Sequence, residues 1–235
     1  MAEGSAFRLG AGEALGVPAA VLGAGFIGYG SLAAESGYSV WLTVAATVTI
    51  WALPGQLILI EMHALNAAAA AIVLAVVFSA ARFLPMTMSL MPVLRDPRHG
   101  RAALYAAAQL IAMTCWAAAM RRCPELPSAQ RLSYFTGFAV VCVGVSAASA
   151  VAGHSLAGAF PPLVRVGFSF LTPVYFLVIL IGDVRTRLAA LALACGAVAG
   201  PSFYLMNAQW SVLLAGIVGG TAAYLIHRRM GRGRA

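Results

Sequence analysis

The 235-residue chain is 62% hydrophobic and 9% charged, with a mean hydropathy of +0.90. Soluble domains carry roughly a quarter charged residues, so one soluble core is excluded and the chain reads as an all-α, polytopic integral membrane bundle in a lipid bilayer. The net charge is +8, with Arg as the basic residue throughout; no stretch interleaves basic and aromatic side chains as a nucleic-acid module would, so the arginines read as basic loops at a membrane face.

A spanning helix needs about 20 mostly apolar residues. Such runs lie near 14–34, 40–60, 66–94, 102–120, 132–152, 166–182, 188–206 and 211–227, which predicts seven or eight spans in a single permease domain over 1–235. The connections are too short for an added soluble domain. No A-x-A-type cleavage site follows a short apolar core, so the first run is expected to stay as an anchor. It carries Gly16, Gly23 and Gly30 at intervals of seven. That spacing returns nearly to one helix face and lets a neighbour approach closely. Gly196-x-x-x-Gly200 and Gly216-x-x-x-Gly220 read likewise.

The second run has Pro54-Gly55-Gln56 at its centre. Pro54 removes an N–H and frees a carbonyl one turn earlier; Gly55 lets the chain turn; Gln56 adds two donors and an acceptor. In lipid such a break survives only where protein buries it or where it lines a polar cavity, as at transporter substrate sites. A plain proline kink, with Gln56 bonded to a neighbouring helix, is the alternative. Glu61 and His63 close the run, either as an interfacial pair or as titrating proton-coupling groups.

The third run is too long for one span: 29 residues make a helix of about 44 Å, against about 30 Å of hydrocarbon. It holds Arg82 near mid-depth and Pro85 just after, so it reads as two pieces. A buried arginine is expensive, and its fork suits a carboxylate; snorkelling from a re-entrant tip is the other reading. Eight spans with the N-terminus inside would put Arg8, Arg121, Arg122, Arg131, Arg185, Arg187 and the Arg-rich tail on the inner face. Arg95, Arg98 and Arg101 would then lie outside, against the positive-inside rule. A re-entrant turn would shift this parity, which the sequence leaves open.

Later in the chain, Ser169, Thr172 and Pro173 mark a second broken polar stretch. Phe83-Leu-Pro, ending in Asp96-Pro-Arg98, echoes Phe170-Leu-Thr-Pro173, ending in Asp183-Val-Arg185. An inverted repeat would give that echo; so would chance. The four cysteines form no C-x-x-C pair and read as packing residues, with no metal site. Gly153-His-Ser-Leu-Ala157 lacks the closing glycine of a nucleophile motif, and no phosphate-loop, zinc or dinucleotide motif is present. Neither an enzyme nor a cofactor is implied.

Several elements resemble, in order and spacing, the AzlC-type branched-chain amino acid permeases. They are Ala14-Leu-Gly-Val-Pro18, Gly25-Phe-Ile-Gly28, Ala33-Ala-Glu-Ser-Gly37, Ala52-Leu-Pro-Gly-Gln56, the run from Ala81 to Arg95, and Phe168-Ser-Phe-Leu-Thr-Pro173. The likeness covers roughly residues 10–228. It implies the large subunit of a bacterial inner-membrane exporter for leucine, isoleucine, valine and methionine, driven by the proton gradient and paired with a small AzlD-type membrane subunit. Many relatives have Asn where this chain has Ala80, and Asp where it has Ser169, departures that bear on substrate and coupling ion. On this reading Arg82 takes the substrate carboxylate, aided by N–H groups near Pro54 and Pro85. Gln56 and carbonyls near Gly55 take the ammonium, and Phe83, Met86 and Phe170 line the side-chain pocket, with Ser169 and Thr172 nearby. A transporter of another small amphiphile or zwitterion is the alternative. A membrane-embedded enzyme would have only His154/Ser155 or Glu61/His63 to work with, and a structural or sensory subunit would need no broken spans.

Overall fold

Among the described residues every regular element is helical. The computed structural model describes residues 3–64, 66, 68–159, 187–206 and 211–232, with isolated short stretches between 161 and 177. It divides into two units, Met1–Val174 and Tyr175–Ala235. In the first unit the helices are α1 (Glu3–Ala14), α2 (Val17–Glu35), α3 (Val40–Thr49), α4 (Leu53–Ala64), α5 (Ala69–Ala80), α6 (Phe83–Leu94), α7 (Arg101–Gln109), α8 (Met113–Arg122) and α9 (Ser128–Ser155), with a short 3-10 turn at Cys123–Glu125. In the second they are α10 (Arg187–Met206) and α11 (Ser211–Arg232).

Two described helices, α2 and α9, are long and apolar enough to cross a membrane. The pair α5 and α6 passes as a third crossing bent by 44°. The bend falls at Ala81-Arg82, so the overlong third run is indeed two pieces. The expected 166–182 run lies for the most part outside the described residues.

The 28-residue α9 is the spine of the first unit. Glycines let two helices approach it at backbone distance. A Cβ on Gly10 would run into the Tyr134 carbonyl, and one on Gly137 into the Phe7 carbonyl, which sets α1 antiparallel to α9. A Cβ on Gly30 would meet the Ala150 carbonyl, and one on Gly153 the Ile27 carbonyl, a reciprocal backbone contact between α2 and α9. At Gly23 the nearest atom would be Ser149 Oγ at 3.2 Å. Two of the three glycines spaced at seven therefore serve this contact. The third, Gly16, caps the start of α2 instead.

The 40–60 run does not cross. Ser39 caps α3, its hydroxyl accepting from the Leu42 N–H at 3.2 Å. Yet the Tyr38 ring, before α3, meets the His63 ring, at the end of α4, with centroids 5.0 Å apart. A continuous helix would separate these residues by about 37 Å. The chain must therefore enter and return at one end, as a hairpin of half-length helices.

The 102–120 run also folds back. Ser128 Oγ, at the start of α9, donates to Asp96 Oδ2 at 2.8 Å, just past α6. Arg131 donates to the Leu126 carbonyl at 3.0 Å and to the Val93 carbonyl at 3.3 Å. Arg122, at the end of α8, pairs with Glu13 at 3.2 Å, and Glu13 accepts from the Tyr134 hydroxyl at 2.5 Å. So α7 leaves, and α8 returns to, the end where α6 stops and α9 begins. The hairpins enter from opposite ends and touch at their tips, where Gln109 Nε2 donates to the Thr49 carbonyl at 2.9 Å. Thr49 and Gln109 hold the same place, the last residue of each inbound helix. This is an inverted relation between α3–α4 and α7–α8; one arm of the Phe83/Phe170 echo lies outside the described residues.

The parity conflict disappears with this hairpin. Arg95, Arg98 and Arg101 share one end with Arg121, Arg122 and Arg131. The opposite end of the unit carries Glu35, Glu61, His63 and His154 and no arginine among the described residues.

In the second unit α10 packs on α11. A Cβ on Gly219 would approach the Gly196 backbone at 3.3 Å, while Gly200, Gly216 and Gly220 face open space. The close approach thus uses Gly196 but a glycine one position off the expected pair.

Two predictions follow from the packing. Gly30→Leu should separate α2 from α9 and cost about 1–3 kcal/mol, the usual penalty for overpacking, while Gly144→Leu, whose site is open, should leave the melting temperature in detergent unchanged. The Asp96 carboxyl is held well below the usual carboxylate range, first by the Arg98 side chain at 2.9 Å and then by the Arg98 N–H and Ser128. A depressed pKa stabilises the fold above the unfolded value of about 4, and that contribution is lost as pH falls further. Acid melting curves of the wild type should therefore fall more steeply below about pH 4 than those of Asp96→Asn; parallel curves would refute the assignment.

Candidate functional site

The first tip is the non-helical stretch Ile50-Trp51-Ala52. Trp51 adopts φ 39 while buried at 4% exposure, a costly conformation for a bulky residue. The turn is therefore made by Trp51, not by Gly55, which sits inside α4. A Cβ on Gly55 would make only ordinary contacts, the nearest 3.5 Å from Ile50. Pro54 lies in the first turn of α4, where its missing N–H would have no helical partner anyway. It starts a half-helix rather than kinking a whole one. On the inbound side the Thr47 and Thr49 hydroxyls donate to carbonyls four residues back, at 2.9 and 2.7 Å.

The second tip, Leu110-Ile111-Ala112, has neither proline nor glycine. Leu110 and Ile111 donate to Ala107 and Ala108 at 3.0 and 3.2 Å, a tightened last turn. Ala112 is extended, with φ −130 and ψ 164, and caps α8. This break was invisible as a breaker motif. Its one trace is positional, since Ile50-Trp-Ala52 and Leu110-Ile-Ala112 occupy matching places.

Both outbound helices, α4 and α8, start at these tips. Their N-terminal ends, each equivalent to roughly half a positive charge, thus face the interior from opposite sides. Gln56, in the first turn of α4, is fully buried, and neither its Oε1 nor its Nε2 has a hydrogen-bond partner. Thr114, in the first turn of α8, is 3% exposed, and its hydroxyl is likewise unpartnered. Ser31 on α2 and Ser146 on α9 add two more buried, unpaired hydroxyls, and the buried Tyr29 faces Thr47. Buried polar groups are nearly always paired, so these unpaired groups are the candidate binding residues of the unit.

The other expected site residues are distributed differently. Arg82 sits in the two-residue turn between α5 and α6, exposed, its guanidinium 5.4 Å from the Phe83 ring centroid. No described carboxylate pairs with it, and no hydrogen bond joins it to Gln56. Phe83 and Met86 pack against the core; Pro85 is exposed in the first turn of α6. Glu61 and His63 are exposed at the outer end of α4. The His63 ring meets the Tyr38 ring edge-on, and the Tyr38 carbonyl lies 2.7 Å from His154 Nε2. Ser169, Phe170 and Thr172 lie outside the described residues. Sequence reasoning found Gln56 through its proline and glycine neighbours, and missed Thr114, which has none.

The AzlC protein family profile matches residues 19–160, from the start of α2 to just past α9. The chain belongs to the AzlC family. That is a transporter family, and with the apolar helices it makes this a membrane protein. No curated protein and no solved structure matches the chain. The matched stretch contains both hairpins, the bent α5–α6 crossing and every unpaired buried group named above.

Replacing Gln56 by leucine, an apolar side chain of similar size, should relieve an unpaired buried amide. The melting temperature should hold or rise, with up to about 1–3 kcal/mol to be gained. Gly55→Ala should also melt like the wild type. A large loss of stability in Gln56→Leu would show that the amide is structural.

Proposed function

We propose that this protein is the transport subunit of a branched-chain amino acid exporter, moving leucine, isoleucine, valine or methionine across the bacterial inner membrane. The observation that carries this reading is the unpartnered Gln56 amide buried in the first turn of α4, just past the first hairpin tip. An amino acid is a zwitterion with an apolar side chain. Each hairpin brings the carbonyl-rich C-terminus of an inbound helix and the N–H-rich N-terminus of an outbound helix to one depth. Opposite partial charges are thus available for an ammonium and a carboxylate without a buried ion. The Gln56 amide offers both donors and an acceptor to the same ligand.

The end bearing six arginines is the cytoplasmic one by the positive-inside rule. Substrate then enters past the α7–α8 hairpin and leaves past α3–α4. Glu61 and His63, exposed at the far end of α4, are the proposed proton-coupling groups. A small AzlD-type membrane subunit completes the exporter; the side chains Trp41, Leu84 and Tyr105 are large and exposed on this unit.

Export of labelled leucine from cells making the protein tests this. Gln56→Leu should insert and fold normally yet lose most export, by about tenfold or more if one hydrogen bond to a charged group is lost. Unchanged leucine efflux in that variant would remove Gln56 from the path. Efflux of other solutes but not of branched-chain amino acids would redirect the substrate assignment.

A further inference from the structure

We infer that the first turn of α8 is the carboxylate subsite of this membrane protein, with Thr114 as its side-chain donor. The inference rests on the proposed amino acid substrate for its role, but the chemistry stands on the α8 turn itself. The first α-helical bond of α8 runs from the Trp116 N–H to the Ala112 carbonyl at 2.8 Å. The N–H groups of Met113, Thr114 and Cys115 therefore precede any partner within the helix. Three N–H groups at a positive helix end form an anion receptor. Thr114 Oγ1 adds a fourth donor: the residue is 3% exposed and the hydroxyl has no partner.

The neighbouring tip matches it. In α4 the Gln56 N–H bonds to the Ala52 carbonyl at 3.0 Å, so the Leu53 and Gly55 N–H groups precede any partner within the helix, with the unpaired Gln56 amide in the same turn. The Gln109–Thr49 hydrogen bond joins the two tips. A singly charged carboxylate fits this place better than a phosphate. The fixed dipole ends supply partial charges only, and no described cation is paired into the site. Arg82, the guanidinium that would otherwise take this role, is exposed in the α5–α6 turn beside Phe83.

The test is binding by the purified full chain in lipid nanodiscs, read by calorimetry. The probes are 4-methylpentanoate, which is leucine without its amine, and leucinol, which lacks the carboxylate. Wild type should bind 4-methylpentanoate and not leucinol. Thr114→Val keeps the shape and removes the donor; it should weaken 4-methylpentanoate by about tenfold or more, with an unchanged or higher melting temperature because the hydroxyl pairs with nothing in the fold. Thr114→Ser should restore binding. Met113→Pro is a second route: proline suits the first helical position, and Ala112 is already extended as a residue before proline must be. It deletes one N–H and should also weaken the anion. Arg82→Ala should bind normally. The inference is overturned if no monocarboxylate binds, if both α8 variants bind like wild type, or if Arg82→Ala alone loses the anion. Intact carboxylate binding with no leucine export would sink the transport substrate and leave this subsite standing.

Discussion

Backbone polar groups in hydrocarbon must find partners within the protein, and the first unit is arranged around meeting that demand at two deliberate breaks. Each unsatisfied group costs several kcal/mol in lipid. A hairpin that stops halfway exposes such groups at its tip. Here the two tips touch, the Gln109 amide answering the Thr49 carbonyl, while Trp51 and Ile111 are buried in the core. Neither hairpin could persist alone at that depth. Their meeting requires that α2, α9 and the bent α5–α6 crossing hold them at fixed separation. The glycine contacts along α9 supply the fixed separation, because helices at backbone contact cannot slide without carbonyls colliding.

Much of this was legible where a residue type carries a unique backbone consequence. Pro54 announced an interruption and Arg82 with Pro85 announced a bend, and both are found within a few residues of those positions. The glycines at intervals of seven announced a close helix contact, found at Gly23 and Gly30. The identity of the turning residue was not legible. Trp51 is held in the left-handed region by its burial, a tertiary effect that no local preference encodes. The break at Leu110-Ile111-Ala112 was not legible either. Its sequence is apolar and unpunctuated, and what stops the helix is docking against α6, α9 and the other tip.

Hydropathy alone cannot separate a crossing from a hairpin of the same length, since both need about 20 apolar residues. Charge can. Treating 102–120 as a span put three arginines on the wrong side; folding it back puts Arg95, Arg98 and Arg101 with Arg121, Arg122 and Arg131. The Asp96–Arg98–Ser128 cluster and the Arg131 bonds to backbone carbonyls then make physical sense as a collar at one face. They close the end of the bundle where two helices stop and two start, using the groups that water and headgroups can reach.

The candidate site was half legible for the same reason. Gln56 stood out because an amide beside a proline in an apolar run has no local partner. Thr114 did not, because a threonine in a membrane helix normally donates to the carbonyl four residues earlier, as Thr43, Thr47, Thr49 and Thr87 all do here. Thr114 departs from that pattern. Four residues back lies Leu110, on the far side of the break, so the helix that would have satisfied the hydroxyl no longer runs beneath it. The break thus does two things at once. It frees the N–H groups of a helix end, and it strips a buried hydroxyl of its usual acceptor. A sequence that wanted only stability would place alanine or valine at that position. Retaining a donor there, next to N–H groups with no helical partner, leaves a site more polar than the fold requires, and a ligand with an acceptor at one end is what that excess of donors is suited to hold.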